Sequence, residues 1–200
     1  SGQESIRFGR IDDMLAGCHV VTPLGRWQLT AMPGSAAGPD LRRCVLGSEG
    51  RLGVIAEATV RVWPIAPTFV VHAAMFPTWE DGVSAVRDTV WQRCPLSLLR
   101  LSDANESQVG WKVGLAGRST QRFLAETYLR WRHLGDGRCL ALFGARGGAA
   151  EVSRTLRQAP AVFRRHGAVQ LGAGPGPSWQ RDRFRHPSLR DGLMDEGFDR

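Results

Sequence analysis

Leu46-Gly-Ser-Glu-Gly-Arg-Leu-Gly-Val-Ile-Ala-Glu-Ala-Thr59 runs from a glycine-punctuated loop straight into an apolar, β-branched stretch. Gly47, Gly50 and Gly53 recur at every third position. Glycine removes Cβ where the main chain must take positive φ or come close to a ligand, so that bare N–H groups can converge on anionic oxygens. The stretch reads as a backbone cradle for a phosphate that ends in a strand. Gly38-Pro-Asp-Leu-Arg-Arg43 stands just before it.

Outward from the cradle, a strand-like run from Ala58 to Trp63 is stopped by Pro64 and Pro67. This break divides the chain into 1–64, rich in loops and glycine, and 65–200, which has another rhythm. Thr68 to Phe76 reads as a strand. Thr78-Trp-Glu-Asp81 has the form of a capping box, opening a helix on which Val83, Val86 and Val90 share a face. Leu98 to Leu101 is a short strand and Cys139 to Gly144 another. A helix follows from about Ala149, with Val152, Leu156, Ala159 and Phe163 at helical spacing; Pro160 is expected to kink or break it. Ala168 to Leu171 closes the unit as a strand. The order β-α-β, then β-α-β, is the split arrangement of ferredoxin-like layers. Gly144-Ala-Arg-Gly-Gly148 reads as a simple turn. Gly172-Ala-Gly-Pro-Gly-Pro177 reads as a strand-to-helix loop, because its prolines withhold the N–H groups that a dinucleotide turn needs and oppose direct continuation into a helix.

A length of 200 residues with 42% hydrophobic content suffices for a packed core. The net charge is +7, yet all 26 basic residues except Lys112 are arginine, and they are scattered. No RNA-binding aromatic signature and no helix-turn-helix or zinc-finger spacing accompanies them, so nucleic acid is not the expected partner. Steering of an anionic small molecule suits the charge better. Cys18, Cys44, Cys94 and Cys139 form no CxxC pair and read as buried free thiols in a reducing compartment. His19, His72, His133, His166 and His186 lack metal-ligand spacing, and no metal is expected. No apolar run approaches the roughly 20 residues that span a bilayer, and a cytoplasmic location is expected.

Several blocks resemble the flavoprotein oxidases that share the vanillyl-alcohol-oxidase-type FAD fold, and within them the alkyldihydroxyacetonephosphate (alkylglycerone-phosphate) synthase group. Ser1-Gly2, then Phe8-Gly-Arg-Ile-Asp-Asp13 and Val20-Val-Thr-Pro-Leu-Gly25, are similar to the stretch that links the family's adenine- and flavin-contacting turns. Gly47 to Ile55 resembles its second flavin-binding loop, with Arg51 where such loops usually carry a small polar residue. Leu99-Arg-Leu-Ser-Asp103 resembles a strand with an active-site arginine, and Leu189-Arg-Asp-Gly-Leu-Met-Asp195 a helix with a substrate-binding arginine. The blocks follow the family's order along nearly the whole chain.

The resemblance implies an α+β fold: the C-terminal portion of an FAD-binding domain over 1–64, then a ferredoxin-like antiparallel-sheet cap domain over 65–200, incomplete. A first phosphate-binding half is expected before Ser1, and a catalytic tyrosine with a histidine-rich region after Arg200. The implied cofactor is FAD, held by Ser1, Gly9, Ile11, Glu49, Gly50, Arg51, Leu52, Gly53, Val54 and Ile55. Arg100 is implied as catalytic. From pattern alone it fits a surface arginine on an edge strand as well, because a guanidinium inside Leu98-Leu-Arg-Leu101 must be paired, exposed or aimed into a polar cavity. Arg190 is implied as substrate-binding, through a bidentate fork on a phosphate, although an exposed Arg190–Asp191 pair would be ordinary. His186 precedes that helix. Glu49 is a candidate cap of the loop, and Glu57 a solvent-facing residue.

For function, the resemblance implies exchange of an acyl for an alkyl chain on a dihydroxyacetone phosphate through a flavin N5 adduct. Two alternatives stand beside it: an FAD-linked dehydrogenase or oxidase of a 2-hydroxy acid, and a non-catalytic fragment or interaction module. The expected partners are an anionic small-molecule substrate, a membrane surface met through a lipid substrate, and a second copy in a homodimer.

Overall fold

The computed structural model describes residues 2, 4–34, 37–114 and 119–182; Ser1, His186 and Arg190 lie outside the described residues. The chain divides into two compact units, Ser1–Ile65 and Ala66–Arg200.

The first unit begins with two single-turn helices, α1 (Ser5–Phe8) and α2 (Ile11–Met14). They lead into β1 (Leu15–Thr22), which turns at Gly25 into β2 (Gly25–Leu29). A short helix, α3 (Leu41–Val45), precedes the glycine loop, and β3 (Val54–Val60) leaves it. The three strands form an antiparallel sheet of order β2-β1-β3. Its core is small: Leu15, Cys18 and Val20 of the central strand meet Val45 of α3, with Trp27, Leu29 and Leu46 around them.

The second unit runs β4 (Thr68–Phe76), α4 (Trp79–Trp91), β5 (Leu98–Leu101), α5 (Ala104–Gly114), α6 (Ser119–Trp131), β6 (Cys139–Gly147), α7 (Ala149–Arg165), β7 (Val169–Gly172) and α8 (Pro175–Asp182). The sheet order is β5-β6-β4-β7, antiparallel throughout. This is the split β-α-β arrangement expected from the sequence, with α5 and α6 inserted between the second and third strands. β4 and β6 pair without a register shift from Thr68↔Gly147 to Phe76↔Cys139.

Alternation along these strands sorts the side chains to two faces. Ala74, Phe76, Cys139, Ala141 and Phe143 pack against Ala85 of α4 and against Ala159, Val162 and Phe163 of α7. Phe163 meets Phe76 and Phe143 edge-on, with ring centroids 5.3 and 5.0 Å away. The opposite face presents Val71, Ala73, Leu98 and Leu142 to Trp179 of α8, and Met75 and Val169 to Leu129 of α6.

Five local expectations are corrected. On α4 the buried residues are Gly82, Ala85 and Thr89, whereas Val83 and Val90 are exposed. The reason is close approach: a Cβ on Gly82 would stand 2.9 Å from the Leu101 side chain, so the sheet selects small residues and turns the valines outward. Gly144 to Gly147 belong to β6 and form no turn. A Cβ at Gly144 would meet the Val70 carbonyl at 3.0 Å, which is why glycine stands inside a central strand. α7 continues through Pro160; the buried Ala159, Pro160, Val162 and Phe163 hold it on the sheet on both sides of the missing donor. Finally, α8 starts at Pro175 itself. In the first turn an N–H has no intrahelical acceptor, so proline loses nothing there. Among the cysteines, Cys18, Cys94 and Cys139 are buried as expected, but Cys44 is exposed.

Candidate functional site

The glycine loop is anchored from its N-terminal side. Asp40 caps α3 by accepting from the Arg42 amide at 3.1 Å. Its carboxylate also takes a fork from the Arg42 guanidinium, Nε at 2.8 Å and Nη2 at 2.9 Å. Arg42 Nη1 then donates to the carbonyls of Ala16 in β1, at 2.7 Å, and of Met32, at 3.1 Å. One side chain thus ties the start of α3 to the central strand. The fork holds the Asp40 carboxyl below its ordinary range and raises the Arg42 guanidinium. Arg43, the next residue, reaches Asp12 and Asp13 of α2 at 3.6 and 3.9 Å, linking the turn that carries Gly9 and Ile11 to the same helix.

Beyond α3 the chain makes two successive turns, with Arg51 N donating to the Ser48 carbonyl at 2.9 Å and Gly53 N to that of Gly50 at 3.2 Å. Gly47 and Gly50 have φ of 77° and 83°, and Glu49 between them has 51°. Gly53, at 130°, serves another need: a Cβ there would lie 2.6 Å from the Val21 carbonyl, so this glycine seats the loop against β1. Around a Cβ added at Gly47 or Gly50 there is open space. Among the described residues, the amides of Gly47, Glu49, Gly50 and Leu52 donate to no partner. Left-handed residues, unengaged donors and open space are the ingredients of an anion-binding loop.

The strand that leaves this loop carries its apolar side chains at the surface. Val54 is 68% exposed and Ile55 40%, with Leu52 before them at 44%. Val54 and Ile55 alternate to opposite faces of β3, so an apolar ring system can meet the Val54 side chain on one face, while the amides suit phosphate or carbonyl oxygens. FAD combines both chemistries, so the residues present fit it. Arg51 and Glu49 are exposed at the loop's rim, and Glu49 makes no cap among the described hydrogen bonds. Glu57 faces solvent as expected, 3.3 Å from His19 Nδ1 across β1 and β3.

In the second unit, β5 is an edge strand. Arg100 alternates with Leu99 and Leu101, which pack against the α4/α7 side, so it lies on the opposite sheet face with Leu98. Its Nη2 meets Glu106 Oε1 of α5 in a direct ion pair. Glu106 is set by its position in the first turn of α5, where its amide donates to Asp103 Oδ1 at 2.8 Å. Ser107, buried beside it, donates to the Ser102 carbonyl and accepts from the Leu140 amide at 2.8 Å. Arg100 is therefore paired and exposed on an edge strand. The described residues include neither Arg190 nor His186, so the two expected arginines are not brought together within them.

Sequence reasoning missed Arg42. The signal was available as Asp-x-Arg at a helix start, a spacing that lets a capping carboxylate receive both an amide and a guanidinium. Among the described residues no group of three or more His, Cys, Asp and Glu is placed to hold a metal ion. No described helix is long and apolar enough to cross a membrane.

No family model matches the chain. It is similar along 98% of its length to the alkyldihydroxyacetonephosphate synthase of Dictyostelium discoideum, 30% identical over 201 residues that make up 33% of that protein. An FAD-linked oxidoreductase of Escherichia coli (strain K12) is 29% identical over 148 residues, 73% of this chain and 26% of the relative. A mitochondrial D-lactate dehydrogenase (cytochrome) of Arabidopsis thaliana is 38% identical over 105 residues, 52% of this chain and 18% of its own. A solved alkyldihydroxyacetonephosphate synthase superposes with a TM-score of 0.78 at 28% identity, covering 98% of this chain and 35% of that one. The chain thus spans about a third of the synthases it matches. These homologues agree with the fold class and the resemblance read from the sequence, and the expected cofactor, FAD, is the one that the oxidoreductase's name carries.

Proposed function

From homology to alkyldihydroxyacetonephosphate synthases along 98% of its length, we propose that this chain supplies flavin- and substrate-contacting residues of an FAD-dependent enzyme that exchanges an acyl for an alkyl chain on a dihydroxyacetone phosphate. The observation that carries this reading is the extent of the likeness: the synthase match runs through both units, whereas the match to the D-lactate dehydrogenase covers 52% of the chain.

In this reading FAD supplies the electron sink for the exchange when bound. The amides of Gly47, Glu49, Gly50 and Leu52 would hold its anionic or carbonyl oxygens, and Leu52 and Val54 would cover apolar ring surface, with Ile55, on the other face of β3, proposed from the resemblance. Gly9, Ile11, Arg51 and Gly53 complete or position that contact, with Ser1 proposed from the resemblance alone. The Arg42–Asp40 fork fixes the helix from which the loop departs. Arg100 provides a permanent positive charge, held in place by Glu106, and orients a carboxylate or phosphate oxygen of the substrate. Arg190 is proposed as the second anionic-group ligand. A cytoplasmic location and a homodimer remain part of the proposal.

The second reading, oxidation of a 2-hydroxy acid by an FAD-linked dehydrogenase, draws on the higher identity of the D-lactate dehydrogenase over its shorter match. Assay of the complete gene product separates the two. Exchange of a labelled fatty alcohol into an acyl-dihydroxyacetone phosphate, with no reduction of an artificial acceptor by 2-hydroxy acids, supports the synthase. Acceptor reduction without exchange replaces it with the dehydrogenase. Failure of both leaves an interaction module.

A further inference from the structure

α7 gathers on one face arginines that stand scattered in the sequence. Arg154, Arg157, Arg164 and Arg165 are all exposed, opposite the buried Val152, Thr155, Ala159 and Phe163. At 3.6 residues per turn and 1.5 Å per residue, the four fall within an arc of about 100° and run along about 16 Å of the helix. That arc holds otherwise only Ala150 and Ala161, so no acidic side chain interrupts it. Among the described residues none of the four meets a carboxylate; Arg165 donates from Nη2 to Gln92 Oε1 at 3.3 Å. Arg164 and Arg165 suit the negative end of the helix dipole, but Arg154 and Arg157 stand about two to three turns before it and gain nothing from it.

The face continues onto the end of α4. His166 Nε2, 2.9 Å from Asp88 Oδ2, joins the two helices there and takes up that carboxylate. Beyond Gln92 stands Arg93, exposed and held at a φ of 50°, its amide donating to the Val90 carbonyl at 3.0 Å. Trp91, before Gln92, is 85% exposed. Guanidinium groups without a carboxylate of their own take those of another chain through bidentate forks, and an exposed tryptophan beside arginines has the composition of a protein-docking centre. A lipid surface fits less well, since alanine alone separates the arginines of α7 and nothing there enters an acyl layer. Nucleic acid fits less well too, because α7 lies on its own sheet and does not project into a groove.

We propose that the arginine face of α7, with Arg93 and Trp91 at the end of α4, docks an acidic segment of a partner protein. The inference goes beyond the flavin chemistry and stands whichever reaction the protein performs. The test is fluorescence anisotropy of the complete gene product with a labelled peptide of repeating Glu-Glu-Leu and with an all-Glu peptide of equal charge. R154Q/R157Q/R164Q is expected to weaken the repeat peptide about tenfold or more, with an unchanged circular dichroism melt because all three side chains are exposed. R26Q/R61Q/R132Q removes the same charge from other exposed positions, and screening should hold its loss below about threefold. W91A should weaken the Glu-Glu-Leu peptide and leave the all-Glu peptide unchanged. No binding by the parent, an equal loss in the two triple variants, or W91A without effect on the Glu-Glu-Leu peptide overturns the proposal. So does tighter binding of duplex RNA or of phosphatidylglycerol vesicles that R154Q/R157Q/R164Q abolishes, which would assign the face to nucleic acid or to lipid.

Discussion

β3 and β4 are strands of comparable length and apolar content, yet their surroundings are opposite. All seven residues of β3 are exposed, whereas the last four of β4, Ala73 to Phe76, are fully buried. β4 lies between β6 and β7 with helices on the sheet's faces; β3 is the edge of a three-stranded sheet and begins at the glycine loop. Apolar sequence therefore specifies a core in one unit and an available surface in the other. The second unit is held by its own packing. The first presents unengaged amides and apolar side chains side by side, which is what a flavin contact requires.

The contrast can be broken first at the core of the second unit. Phe163→Ala removes a fully buried ring from between Phe76 and Phe143 and should cost about 3–5 kcal/mol. Hydrogen exchange should accelerate in β4, β6 and α7 while β1 keeps its protection; equal acceleration in both units would remove the distinction. Gly53→Ala attacks the other unit. With φ at 130° and the Val21 carbonyl 2.6 Å from the new Cβ, the loop must leave β1, at about 2 kcal/mol or more. Exchange at residues 47–54 should rise and FAD affinity fall, with the melt of the second unit unchanged. Thr78→Ala is a smaller perturbation: the hydroxyl accepts from the Asp81 amide at 3.1 Å, and its loss should destabilise α4 by about 1 kcal/mol.

Two further predictions sharpen the account of the first unit. The Arg42 fork lowers the Asp40 carboxyl, so its contribution is fully present above the carboxyl's unfolded value and is lost as pH falls through the depressed folded value. Asp40→Asn should flatten the acid limb of the unit's stability, read by exchange in α3 and β1. For the thiols, Cys44 should be alkylated first by a neutral maleimide under native conditions. Cys18, Cys94 and Cys139 are buried, and burial pushes each thiol up, so their labelling should await unfolding.

Element order and most element positions in the second unit were legible because period-two and period-3.6 patterns meet turn residues at their ends; β5 occupies Leu98–Leu101 as read. What escaped was set by close approach. A valine stripe on α4 looks like a core face, but the helix meets the sheet at Gly82, where a Cβ would stand 2.9 Å from the Leu101 side chain, and at the buried Ala85. The glycines of β6 look like a turn, yet Gly144 is required by the neighbouring strand. In the site, the positive φ of the loop glycines was readable from residue type. The Asp40–Arg42 fork was signalled by the Asp-x-Arg spacing, but the reach of Arg42 to the Ala16 and Met32 carbonyls was hidden, because backbone carbonyls leave no trace in side-chain pattern.

The most direct measurement is amide hydrogen exchange of the complete gene product with and without FAD. The account predicts slowed exchange at Gly47, Glu49, Gly50 and Leu52 on adding FAD, with β4 and β6 unchanged. FAD bound with no change at those four amides would contradict it.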